Sequence, residues 1–108
     1  MQIFHKRPGG ALIRMDEAGE GGACHRYAVT TKDMKTTFAA IDFQMGSVKK
    51  EGYNGVQDED LLKIVIDRLQ CLEAGPFSCD EYHFALGYIR KGLDCLDHRD
   101  PGPEGAGS

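Results

Sequence analysis

Apolar and polar positions change period near the middle of the chain. In the N-terminal half they alternate every second residue. The run CHRYAVTT (24–31) is rich in β-branched and aromatic residues, and TTFAAIDFQ (36–44) follows a polar turn at Lys32–Lys35. In the second run Phe38, Ala40 and Asp42 share one face, while Thr37, Ala39, Ile41 and Phe43 share the other, as strand geometry requires. The two runs predict an antiparallel hairpin. Upstream, Gln2-Ile3-Phe4 and Ala11-Leu12-Ile13 flank a Pro-Gly-Gly turn at 8–10, and Leu12 with its neighbours predicts an edge strand. Asp16–Gly22 is acidic and glycine-rich and reads as a loop.

Beyond residue 57 the period becomes helical. From Asp58 to Glu73, apolar residues fall at 61, 62, 64, 65, 66, 69 and 72. Asn54 and Gln57 have capping-box spacing, and Asp58, Glu59 and Asp60 load the first turn with the charge a helix start favours. Gly75-Pro76 ends this first helix. A second begins at Ser78, with Glu81 three residues on as another capping-box signal, and carries the stripe Tyr82, Ala85 or Leu86, Ile89, Leu93, Leu96. Residues 57–73 and 79–98 therefore predict an αα-hairpin. The tail DPGPEGAGS cannot continue the helix and is expected to be flexible.

The fold class expected is α+β: a small N-terminal antiparallel β-sheet followed by a C-terminal two-helix hairpin. One domain of 108 residues would comprise a β-rich part (1–45), a glycine-rich connection (46–56), the hairpin (57–99) and the tail (100–108). The second helix has a further apolar line at Phe84, Tyr88 and Cys95, and the first adds Ile64 and Cys71. Each helix needs only one buried face. A second apolar face predicts association with other copies, as does the thin core of a short chain.

Composition refines this picture. With 41% apolar and 28% charged residues, a folded core is expected. A net charge of −4 argues against duplex nucleic acid as a partner, though not against a small anion held by a local basic cluster. No apolar run is long enough to span a membrane. Cysteines at 24, 71, 79 and 95 form no C-x-x-C pair, so reduced, partly buried thiols in a cytoplasmic protein are expected. Cys79 and His83 stand four apart on a helix, but two ligands do not make a metal site. No phosphate-binding, nucleophile-elbow or dinucleotide fingerprint occurs. Neither an enzyme nor a cofactor is expected. An enzymatic alternative would need His98 or His83 to act as a base beside a phosphate.

The connection FQMGSVKKEGYNG (43–55) is longer than a plain turn needs. Glycines 46, 52 and 55 permit close approach of a ligand or another chain. Lys49 and Lys50 bring positive charge, and helix starts at 54–58 and 78–81 favour anions. Arg99 suits the C-terminus of the second helix.

These motifs carry a resemblance. FQ-x-G, G-x-NG, EDLL-x-IVIDRL and AGPF-x-C, spread from about Ile41 to Arg99, resemble the helical-hairpin domain shared by phage Thoeris anti-defence and anti-CBASS sponges. The β-rich N-terminal part is closer to the Thoeris type. The resemblance implies a non-catalytic protein of the infected bacterial cytoplasm, assembled as dimers or hexamers. Such a protein sequesters intact nucleotide second messengers: cyclic ADP-ribose isomers, cyclic oligonucleotides, or both. A structural or protein-binding accessory that dimerises through the hairpin is the alternative.

In the family, an aromatic near the end of the first helix, an Asn early in the second and two arginines near its end line the ADP-ribose-type pocket. Here the matching positions hold Leu72, Tyr82 and Arg99, and the second arginine falls in Pro101-Gly102-Pro103 and is missing. Tyr82 is either a platform for a base or the first core residue of its helix. The departures point to a different messenger or to the cyclic-oligonucleotide site alone. The ligand-binding residues expected are Arg99, Tyr82, Leu72, Lys49, Lys50, Asn54, Gly55 and Gly46.

Overall fold

The computed structural model describes residues 1–99; the tail at 100–108 lies outside the described residues. The chain divides into two compact units at the Val56–Gln57 junction.

The first unit is a four-stranded antiparallel sheet in the order β1-β2-β3-β4, with β1 Gln2–Arg7, β2 Gly10–Arg14, β3 Arg26–Thr30 and β4 Thr37–Asp42. Pro8 and Gly9 join β1 to β2. Gly9 has φ 79°, and proline followed by a left-handed glycine is the sequence of a type II turn. β2 is not the edge strand expected for Leu12 and its neighbours. It pairs with β1 on one side and β3 on the other. The edge on that side is β1, which runs beyond its apolar patch through His5-Lys6-Arg7. A charged edge strand discourages pairing with other chains, and its polar residues hide it from a search for alternation.

The core of this unit is narrow. Ile13 pairs with Ala28 and Ala11 with Thr30, and all four are buried. On β4 the expected alternation is present: Ala39 and Ile41 are half-buried, Phe38 and Ala40 exposed. The face of Ala39 and Ile41, opposite that of Ile13 and Ala28, carries an aromatic row. Tyr27 meets Phe4 and Phe43 edge to face, at 5.8 and 5.6 Å between ring centroids.

β3 begins at Arg26, two residues later than the run at 24 suggested. The Asp16 carboxylate fixes this start, accepting hydrogen bonds from the backbone N–H of His25 (3.1 Å) and of Arg26 (3.2 Å). The β3–β4 turn is also closed by side chains. Asp33 Oδ1 accepts from the Thr31 hydroxyl at 2.6 Å and from Lys35 N at 3.0 Å.

The second unit is the helical hairpin, α2 Asp58–Ala74 and α3 Asp80–Asp97; α1 is a four-residue helix, Val48–Glu51, inside the 46–56 connection. Both capping expectations need correction. α2 is capped at Gln57, whose backbone N–H donates to Asp60 Oδ2 at 2.9 Å. Asn54 cannot serve, because the chain is still extended at Val56, which forms a parallel bridge with Phe43. α3 is capped at Cys79 rather than Ser78. Ser78 N–H donates to Gly75 O at 3.4 Å and so belongs to the interhelical turn. Gly75 ends α2 as expected, its N–H donating to Leu72 O.

The α3 stripe is the expected one: Leu86 is buried, and Tyr82, Ala85, Ile89, Leu93 and Leu96 are half-buried. α2 contributes half-buried Leu61, Leu62, Ile66, Leu69 and Leu72. The second apolar line faces outward. Ile64 is 63% exposed, Phe84 60% and Tyr88 73%, values far from those of a packed face.

Candidate functional site

The expected site residues fall in two groups, one in each unit. Gly46, Lys49, Lys50, Asn54 and Gly55 share the 43–55 connection. Leu72, Tyr82 and Arg99 belong to the hairpin.

The connection is organised around a buried amide. Gln44 is 1% exposed. Its Nε2 donates to Gly52 O at 2.8 Å and to Gly46 O at 3.3 Å, and its Oε1 accepts from Asn54 N–H at 3.0 Å. Asn54 closes the loop from the other side. Its Oδ1 accepts from Met45 N–H and its Nδ2 donates to Met45 O, both at 2.8 Å. That double bond pattern imitates a strand pair. The amide of Asn54 is therefore occupied by backbone.

Gly55 and Gly46 each admit a close approach of the chain's own atoms. A Cβ on Gly55 would stand 2.5 Å from Asp42 O and from the Phe43 carbonyl carbon. Only glycine lets the chain pass close enough for Val56 N–H to reach Asp42 O at 2.8 Å. Gly46 has φ 77°, and a Cβ there would meet Glu51 Cγ at 2.7 Å. Lys49 and Lys50 are exposed in the last turn of α1, where positive charge suits the helix dipole. Beside the loop, a recess of about 250 Å³ is lined by His25, Arg26, Asp42, Phe43, Met45 and Asn54. Arg26 Nε donates to Asp42 Oδ1 at 3.2 Å on its rim. The His25 imidazole is buried with neither ring nitrogen hydrogen-bonded.

A larger cavity of about 590 Å³ lies in the first unit, between the sheet and the 16–24 segment. It brings Arg14, Gln2, Tyr27, Asp16 and Cys24 together, none of them singled out by the sequence. Arg14 lies 4.8 Å over the Phe4 ring and donates to Gln2 Oε1 at 3.0 Å. Strand pairing brings Gln2, Arg14 and Tyr27 side by side, and hydrogen bonds of the 16–26 segment add Asp16 and Cys24. The strand alternation of β1, broken by a bulge between Ile3 and His5, concealed it.

In the hairpin, Leu72 and Tyr82 flank the interhelical turn and are both half-buried. Arg99 lies past the end of α3, about 25 Å from Tyr82 along the axis at roughly 1.5 Å per residue. The hairpin therefore does not bring Tyr82 and Arg99 together. Arg99 Nη2 stands 3.7 Å from Glu59 Oε2, tying the end of α3 to the start of α2. At the other end of the hairpin His83 Nδ1 lies 3.3 Å from Glu73 Oε2, an ion pair only when the imidazole is protonated. His98 Nδ1 contacts its own helix at Asp94 O, 2.8 Å away. Among the described residues no group of three His, Cys, Asp or Glu side chains could hold a metal ion, and no helix is long and apolar enough to cross a membrane.

Fold and site together define a small α+β protein with a loop pinned by the amides of Gln44 and Asn54 and a helical hairpin joined at one end by the Arg99–Glu59 ion pair. No family profile matches the chain. It is, however, 38% identical over 81 residues to Thoeris anti-defense 1 of Bacillus phage SBSphiJ7, across 75% of this chain and 56% of that protein. The chain belongs to the phage Thoeris anti-defence family. It spans little more than half the length of the relative it matches.

Proposed function

We propose that this protein acts against bacterial immune signalling as a sponge. It would hold a small anionic messenger, a cyclic ADP-ribose isomer or a cyclic oligonucleotide, intact and out of reach of its receptor in the infected cell. The observation that carries this reading is the identity to Thoeris anti-defense 1. The geometry adds two supports. First, the outward apolar line of Ile64, Phe84 and Tyr88 is suited to a second copy of the chain. Second, Tyr82 and Arg99 occupy opposite ends of one hairpin. A pocket shared by two antiparallel hairpins would bring one copy's Tyr82 to its partner's arginine. A dimer or hexamer thus fits a shared pocket. Capture would use charge-assisted hydrogen bonds to phosphate and stacking on Tyr82, with no bond broken.

A thermal-shift panel of cyclic dinucleotides, cyclic trinucleotides and cyclic ADP-ribose isomers tests this reading. A ligand that binds only the folded state raises the melting temperature. Heating the complex should then release the compound unchanged by mass spectrometry. Recovery of a cleaved product would overturn the sponge, and silence across the whole panel would favour the second reading. That reading is a structural accessory that pairs through the hairpin. It is favoured by the engagement of Asn54 with Met45 and of Arg99 with Glu59.

A further inference from the structure

The acidic run Asp58-Glu59-Asp60 opens α2, and its members are not equivalent. Asp58 and Asp60 are exposed, whereas Glu59 is half-buried with a side chain only 18% exposed. Its Oε1 is buried and has no hydrogen-bond partner. Its Oε2 lies 3.7 Å from Arg99 Nη2, too far for a hydrogen bond. Arg99 thus neutralises Glu59 across a gap. Among the described residues no acceptor takes a hydrogen bond from the guanidinium, whose side chain is 46% exposed. Its fork of donors remains open toward solvent.

We infer that Glu59 is the internal competitor a phosphate must overcome at Arg99, and so sets the affinity of that end of the site for anions. This rests on the reading of Arg99 as a ligand contact. A phosphate that takes the open donors sits beside a carboxylate of the same sign. If it draws the guanidinium outward, it leaves Glu59 in a partly desolvated place without its cation, which is costly. Either way the acid opposes the anion, and only phosphates that make further contacts are retained. The device selects against abundant simple phosphates and in favour of larger messengers.

The test follows the Arg99 side-chain N–H signal by NMR in the full chain while inorganic pyrophosphate is added. Wild type is compared with Glu59→Gln, which keeps size and helix. Glu59→Ala repeats the comparison without any side-chain amide, and Arg99→Gln assigns the signal. Removing the charge should tighten pyrophosphate binding roughly two- to fivefold, the upper part of the range of a partly exposed ion pair. Equal affinity in wild type and both Glu59 variants overturns the inference while leaving Arg99 a phosphate contact. An Arg99 signal that moves in none of the proteins overturns both the inference and the assignment of Arg99 to the ligand.

Discussion

Gln44 and Asn54 hold one another across the 44–54 loop: the buried Gln44 carbonyl accepts from Asn54 N–H at 3.0 Å, while the Asn54 amide clasps both backbone groups of Met45. The connection is thus tied to itself by two side-chain amides. Met45 N–H and O, Gly46 O, Gly52 O and Asn54 N–H are answered from inside the loop.

Gln44 is the hub of that structure. Gln44→Leu would leave Gly52 O and Asn54 N–H without their partner, at a cost of about 1–3 kcal/mol per orphaned group. A fall in urea midpoint, with α2 and α3 still giving helical circular dichroism, is the expected result.

Gly55→Ala should be worse tolerated than Gly52→Ala. The Gly55 Cβ would meet backbone at 2.5 Å, while Gly52 has nothing within 4 Å and suffers only from its φ of 72°. Forced overpacking costs about 1–3 kcal/mol. Denaturation of the two variants side by side orders them.

Acid should weaken the first unit. Burial pushes the Asp16 carboxyl up, but the N–H groups of Arg26 and His25 and the nearby imidazole outweigh it and hold it below its ordinary 3.8. The Thr31 hydroxyl and Lys35 N–H hold Asp33 low as well. Groups depressed by folding contribute stability that is complete above the unfolded value and is lost as pH falls through the folded one. Urea midpoints should therefore be flat above about pH 4 and fall below it. Asp16→Asn should lower the plateau and flatten that acid limb.

The outward line on the hairpin gives a prediction about assembly. Phe84 and Tyr88 are 60% and 73% exposed in the single chain. Wild type should sediment above the 11.9 kDa of one chain, and Phe84→Asp should shift it toward that mass, since a charge in an apolar interface is desolvated without a partner. Helical content should stay the same, because Phe84 is not part of the stripe centred on Leu86.

Binding of the messenger separates the two ends of the hairpin. If Tyr82 stacks on a base, Tyr82→Ala should weaken capture by about 1–3 kcal/mol, while Tyr82→Phe keeps it. Calorimetric titration with whichever compound raises the melting temperature measures the difference. Equal losses for both substitutions would assign the contribution to the phenol hydroxyl instead of to stacking.

Much of this molecule was legible without coordinates. Two helices and the stripe through Leu86, Ile89 and Leu93 follow from spacing, because a helix hydrogen-bonds within one turn and its buried face repeats in the sequence. The β3–β4 hairpin followed from alternation in the same way. Gly75 announced the end of α2. The central place of β2, the Gln44–Asn54 clasp, the true caps and the Arg99–Glu59 pair were decided by tertiary structure. Asn54 had the right neighbour for a cap, yet Val56 had to stay extended beside Phe43. Glu59 looked like ordinary dipole charge until the chain returned forty positions later with Arg99. Local periodicity records which side of an element avoids water; it holds no record of which distant group answers a given polar atom, since that depends on where folding brings the chain back.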